Sequence, residues 1–302
     1  MDGLRVFEHA SETGFWRIAS VAPPGPLAAY VAGFNAYEER DASFRRRREL
    51  PDGLAVLIFN LGNELRVEQS ADARRSFGEG QGFFSGASAT YVVTETDGSQ
   101  SGAQIKFSLL GARLFLGRPL GEFGDALIDA PQAFGGAATE LRDRLAEARS
   151  QDERLNLLVR AAEPRLRSED AIAPGLAFAF RRLSRADVRI ADAAREIGMS
   201  RERFSKAFRG EFGLSPKTFP RVRRFARTLR AQKTGAVAQR GRACRAMRLR
   251  RSGPHGPRIP GIRGQSAVGA VAAGTARRRR IHRLKRGVTF PQDRRPPARL
   301  MR

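Results

Sequence analysis

The chain has 302 residues, 55 Lys and Arg against 31 Asp and Glu, a net charge of +24 and 41% hydrophobic residues. That length predicts about two domains, and the apolar fraction can build a real core, which argues against wholesale disorder. A single cysteine, Cys244, excludes a disulfide framework and a thiolate zinc site, and the scattered His9, His255 and His282 argue against a His-rich catalytic metal centre.

No run reaches the roughly 18 apolar residues of a membrane span. The start Met1-Asp2-Gly3-Leu4 lacks the basic and apolar regions of a secretory leader. The expectation is a soluble cytoplasmic protein with no membrane partner and no cofactor. The charge is unevenly placed. Residues 236–302 hold 19 Lys and Arg against one acid, Asp293, and so carry +18 of the total. Such a tail suits nucleic acid or another polyanion, while the body is only mildly basic.

Residues 1–120 read as β-rich. A short helix is expected over 26–34. Leu54–Asn60 is a continuous apolar strand launched by the turn Leu50-Pro51-Asp52-Gly53. Leu65–Glu68 alternates at period two, as a half-exposed strand does. Phe83-Phe84, Ala89–Thr94 and Gln104–Phe107 continue the series, with turns at Gly86 and Asp97-Gly98. Short strands divided by turn residues predict an antiparallel barrel or sandwich. Trp16, Tyr91 and Phe107 are candidates either for the lining of a small-molecule pocket or for plain core.

Gly78-Glu79-Gly80-Gln81-Gly82 has the look of a phosphate loop. It lies between strands, however, with no helix opening after it, and reads as a hairpin turn. From about Gly111 the apolar period becomes helical. Leu141 and Leu145, then Leu155, Leu157, Leu158 and Val159, fit amphipathic helices. Glu163-Pro164 leads to a further helix over 171–182, with an apolar stripe of Leu176, Phe178, Phe180 and Leu183.

Residues 188–229 carry a mechanism. A helix over Ile190–Ile197 stops at Gly198, which suits a left-handed cap, and Ser200 is placed to cap a second helix ending near Phe212-Gly213. Ala194 is small enough to let the two helices cross closely. Phe204, Phe208 and Phe212 recur at i, i+4, i+8 and mark the inner face. Glu202, Lys206 and Arg209 then point outward, with Ser205 on the flank. This is a helix-turn-helix pattern, whose second helix enters the major groove of DNA. Lys206 or Arg209 suits guanine O6/N7 and Glu202 suits cytosine N4, whereas Arg201 and Arg203 are better placed for phosphate.

Gly198-Met199-Ser200, Phe204–Arg209 and Phe212-Gly213-Leu214-Ser215-Pro216 resemble the first helix-turn-helix of AraC/XylS-type transcription regulators. Arg224-Phe225 sits where that family has the Arg-Leu of its linker helix, with Ser215-Pro216 as that helix's cap and start. Pro220 departs from the pattern and is expected to kink the helix. The resemblance implies a prokaryotic regulator that binds double-stranded DNA, with Glu202, Ser205 and Lys206 at base-reading positions. It also implies a β-rich unit that senses an effector or mediates homodimerisation, with RNA polymerase as a further partner. Leu50-Pro51-Asp52-Gly53 and Leu110-Gly111-Ala112-Arg113 are similar to sensor halves of such regulators.

The expected fold class is therefore α+β. A β-rich barrel or sandwich sensor domain spans 1–165, an all-α helix-turn-helix domain spans 166–235, and a basic disordered tail spans 236–302.

The family joins two helix-turn-helix units, and here the pattern stops near Arg230. The tail reads in one of two ways. It is a genuine basic arm held near DNA by counterion release, or it is the product of a shifted reading frame. Back-translating Met247–Ser266 and reading from the second base of each codon permits CGYDEAAHMVREFRAFAGSP, which resembles the family's second unit. A non-specific nucleic-acid binder acting through its tail is the alternative function. No nucleophile–base pair, metal-ligand spacing or cofactor loop marks an enzyme.

Overall fold

The computed structural model describes residues 4–11, 14–40, 45–70, 73–124, 126–167, 171–185 and 188–233. The tail over 236–302, and with it both readings of that segment, lies outside the described residues. In chain order the strands begin with β1 (Leu4–Ser11), β2 (Gly14–Val21), β3 (Val31–Arg40), β4 (Arg46–Glu49) and β5 (Ala55–Asn60). They continue with β6 (Leu65–Ser70), β7 (Ala73–Phe77), β8 (Gly82–Ser85), β9 (Val92–Glu95) and β10 (Gln100–Phe107). Helix α1 (Leu109–Leu116), a 3-10 turn at Leu120–Glu122 and strand β11 (Leu127–Asp129) follow. The helical remainder is α2 (Ala130–Phe134), α3 (Gly136–Glu147), α4 (Gln151–Ala162), α5 (Pro174–Arg185), α6 (Ile190–Glu196), α7 (Arg201–Phe212) and α8 (Thr218–Lys233). A β-rich part is thus followed by an all-helical part.

Every strand pairing is antiparallel. One sheet runs β1-β2-β3-β10-β5-β8-β11, the other β4-β9-β6-β7. Period-two alternation divides the large sheet into two faces. Phe34 and Ala36 on β3, Leu57 and Phe59 on β5, and Ile105 and Phe107 on β10 are buried in one apolar cluster with α1, α4 and the helical part. The opposite face of the same strands looks toward the small sheet. The apolar cluster continues without a break from Ala19 to Phe219, so the two parts share one core.

Helix α1 is fixed at both ends. Ser108 Oγ accepts from the Gly111 N–H at 3.1 Å, and Gly117 closes the helix at φ +68°. Gly111 lies so close to the Tyr30 carbonyl that a side chain there would collide with backbone.

Several expectations need correction. Over 26–34 the chain makes only the 3-10 turn Gly25–Ala29, and Val31 already opens β3, where pairing with β2 and β10 outweighs the local helical signal. The strand expected over Ala89–Thr94 begins at Val92. Phe178 leaves the predicted stripe of α5 and is 47% exposed, because the buried face passes through Leu176, Ala177, Phe180 and Leu183. Pro220 is the third residue of α8, in the first turn, where few backbone amides are engaged, so the helix runs on to Lys233. The glycine loop is a turn between β7 and β8, in which Gly78 N–H donates to Gln81 Oε1 at 2.7 Å and Gly80 takes φ +75°.

Candidate functional site

The connection between α6 and α7 is built from local chemistry. The Gly198 N–H donates to the Arg195 carbonyl at 3.0 Å and the Met199 N–H to the Ala194 carbonyl at 2.9 Å, with Gly198 at φ +68°. That pair of bonds is a Schellman closure, which satisfies the last carbonyls of α6. Ser200 Oγ then accepts from the Arg203 N–H at 3.2 Å and opens α7, while Gly213 ends it at φ +76°. Ala194 is buried where the helices meet.

A phenylalanine cluster sets the roll of α7. Phe204, Phe208 and Phe212 are buried, and Phe180 of α5 lies 4.7 Å from Phe212 and 4.9 Å from Phe219 of α8 between ring centroids. With that face locked inward, Arg201, Glu202, Arg203, Lys206 and Arg209 are exposed and Ser205 is half-buried. All six predicted residues thus lie on one helix. Among the described residues none of the five charged ones takes an ion pair. An α-helix with its side chains is about 10–12 Å across, which fits the roughly 12 Å width of a B-DNA major groove.

The C-terminal half of α7 is not free. Arg113 of α1 donates from Nε to Glu211 Oε2 at 2.6 Å and from Nη2 to the Ala171 carbonyl at 2.9 Å, with its side chain only 7% exposed. A Cβ on Gly121 would sit 2.6 Å from the Gly210 carbonyl oxygen, so the 3-10 turn Leu120–Glu122 rests directly on the α7 backbone. On α8, Arg223 packs its side chain on Gly53. Burial there, with Arg230 close by, holds the Arg223 guanidinium below its ordinary value, while Asp52 pulls the other way. The two segments that carry the sensor-half resemblance, around Gly53 and Arg113, are therefore where the β-rich part meets α8 and α7.

A second feature was missed by the sequence reading. Between the two sheets lies a cavity of about 180 Å³. Val56, Ile58, Leu65, Val67, Phe83 and Leu127 give it apolar walls, and Tyr37, Glu39, Arg47, Glu49, Gln104 and Lys106 give it a polar end. Arg47 donates from Nη1 to Glu39 Oε1 at 2.8 Å and pairs through Nη2 with Glu39 Oε2. Burial pushes the Glu49 carboxyl above the usual carboxylate range, against the pull of Lys106 and Arg47. Burial beside Glu39 likewise raises the Tyr37 phenol.

Of the aromatics proposed from sequence, none lines this cavity. Phe107 faces the helices and contacts Phe115 at 4.9 Å, Trp16 stacks with His9, and Tyr91 lies beneath the Arg48 guanidinium. The available signal was the row Gln100, Gln104, Lys106 on one face of a strand whose other face is apolar. Among the described residues no cluster of three or more His, Cys, Asp or Glu is arranged for a metal, and no helix is long and apolar enough to cross a membrane.

A family model described as a domain of unknown function (DUF6597) matches residues 19–129, which run from β2 to β11 and include the cavity walls. No curated protein matches the chain. Among solved structures, ToxT from Vibrio cholerae O395 aligns over 68% of this chain and 84% of its own, with 13% identity and a TM-score of 0.38. ToxT from Vibrio cholerae strain SCE256 with a bound unsaturated fatty acid aligns over 79% and 88%, with 8% identity and a TM-score of 0.38. GK1651 from Geobacillus kaustophilus aligns over 36% and 47%, with 17% identity and a TM-score of 0.25.

Proposed function

We propose that the chain is a sequence-specific DNA-binding transcription regulator of the AraC/XylS type, with α7 as its recognition helix and the sandwich cavity as its effector site. In this reading Glu202, Ser205, Lys206 and Arg209 face base edges while Arg201 and Arg203 hold phosphates. It places the protein in a prokaryotic cytoplasm, with double-stranded DNA, a small effector, a second copy of the chain and RNA polymerase as partners, and with no enzymatic activity. The observation that carries it is the capped turn Gly198–Ser200, because it fixes α7 with five charged side chains on its solvent side that take no ion pair among the described residues.

The effector reading adds a route. Leu50, Pro51, Asp52 and Leu54 line the cavity, while Gly53 between them touches Arg223 of α8. Leu127 lines it too, a few residues after the turn on which α7 rests. Occupancy of the cavity can thus reach both helices through short, packed segments.

Replacing Lys206 with Ala tests the DNA role. If Lys206 makes a bidentate guanine contact, the change costs about 1–3 kcal/mol on the selected site and relaxes discrimination against random duplex. Unchanged discrimination removes Lys206 from the reading set. The second reading, a non-specific binder driven by residues 236–302, is favoured by their net charge of +18. It predicts a steep salt dependence that disappears when those residues are deleted. The nucleotide sequence across codons 231–250 decides whether that tail belongs to the native frame.

A further inference from the structure

Strand β10 lies at the centre of the large sheet, yet it sends polar side chains into the cavity. Gln100 is 6% exposed and Gln104 1% exposed, and both line the space between the sheets. Gln100 Nε2 donates to Asn60 Oδ1 at 2.6 Å, and Asn60 is itself held by Nδ2 donating to the Phe77 and Asn63 carbonyls at 2.9 and 2.8 Å. This chain fixes the Gln100 amide and leaves its Oε1 without a partner among the described residues. Gln104 Nε2 is likewise buried with no partner among the described residues. An unmet buried amide costs stability, and the Gln104 donor lies beside Ile58 on a strand face that borders open space, where a ligand acceptor would meet it.

Charge and size narrow the class. Among the described residues the ionisable groups around the cavity balance, with Glu39, Glu49 and Asp52 against Arg45, Arg47 and Lys106. Glu39 and Arg47 already neutralise each other. Among the described lining residues no net charge is left to select an ion. A cavity of about 150 Å³ holds benzene, so about 180 Å³ suits one ring with small substituents.

We infer that the cavity takes an uncharged, single-ring amphiphile whose acceptor meets Gln104 Nε2, its ring lying against Val56, Ile58 and Phe83. This rests on the effector-site reading above and gives that effector a chemical class. Gly102 sits between the two glutamines, and the Tyr37 hydroxyl fills the room its missing side chain leaves. The Tyr37 hydroxyl therefore stands between the two amides, and Gln104 is the one that lies beside the apolar wall.

The test uses the full chain and three probes of equal size: 4-hydroxybenzamide, 4-hydroxybenzoate and 4-hydroxybenzylamine. Calorimetric titration and melting temperature are read for each, and DNA binding is followed separately by gel shift. The neutral amide is expected to bind and to raise the melting temperature, with the anion and the cation at least about tenfold weaker. Gln104→Leu should weaken amide binding about tenfold, a hydrogen bond to a buried group, without lowering the melting temperature of the free protein, since it removes an unmet polar group. Gln104→Glu, which keeps the shape, should turn the preference toward the benzylamine. Absence of amide binding, equal binding of either charged probe, or amide binding that survives both variants overturns the assignment. Amide binding without any DNA binding upholds the assignment and removes the regulator reading instead.

Discussion

The helical part and the β-sandwich treat polarity in opposite ways. Around α7 the interior is hydrocarbon, a cluster of Phe180, Phe204, Phe208, Phe212 and Phe219, and Arg201, Glu202, Arg203, Lys206 and Arg209 on its outer side are exposed. In the sandwich the apolar residues line a space they do not fill, and the polar groups Glu39, Gln100 and Gln104 are buried along its rim. A filled core holds a surface rigid for an external partner. A cavity with unmet amides spends stability that an internal partner returns. The difference teaches that the same chain fills one core completely beneath an exposed charged helix face and leaves open space inside the other.

Four changes break or sharpen this contrast, taken from the largest effect to the smallest. Phe208→Ala should cost about 3–5 kcal/mol, the usual range for emptying a packed phenylalanine site, and chemical denaturation should show it. A loss under about 1 kcal/mol would mean the bundle is loosely packed. Arg113→Ala leaves Glu211 and the Ala171 carbonyl without their donor and should cost about 3 kcal/mol, with α7 loosened from the β-rich part in hydrogen exchange. The double variant Arg113→Met, Glu211→Leu should recover most of that loss, because it removes both charges together. Failure to recover would make the pair more than a structural clamp.

Ser200→Ala removes the acceptor for the Arg203 N–H and should cost about 1 kcal/mol, seen as lower protection in the first turn of α7. The smallest effect is a pH dependence. The folded-state value of Glu49 is raised by burial, so the stability linked to its proton is present in acid and lost as pH rises through that raised value. Against Glu49→Gln, the parent protein should therefore lose relative melting temperature between acid and neutral pH. Parallel curves would contradict the burial of that carboxyl.

How much of this was legible depended on how local the cause is. The Gly198–Ser200 turn and the phenylalanine spacing of α7 act over a few residues, so the sequence reading set the caps and the outward face of α7 where the structure has them. The cavity was not legible because Tyr37, Arg47, Glu49 and Gln104 come from strands joined only by long-range pairing. The expected helix over 26–34 failed for the same reason, since β3 is decided by its neighbours in the sheet. Gly53 and Arg113 stood out only by resemblance, and their contacts with α8 and α7 supply the physical ground for it.

The most direct test of the account is selection of duplexes from a randomised pool by the full chain, followed by footprinting of what is enriched. The account predicts one enriched motif, with protection in the major groove and a changed preference when Lys206 and Arg209 are replaced by Ala. Enrichment of no motif, or of the same motif by the doubly replaced protein, would contradict the assignment of α7 as the reading helix.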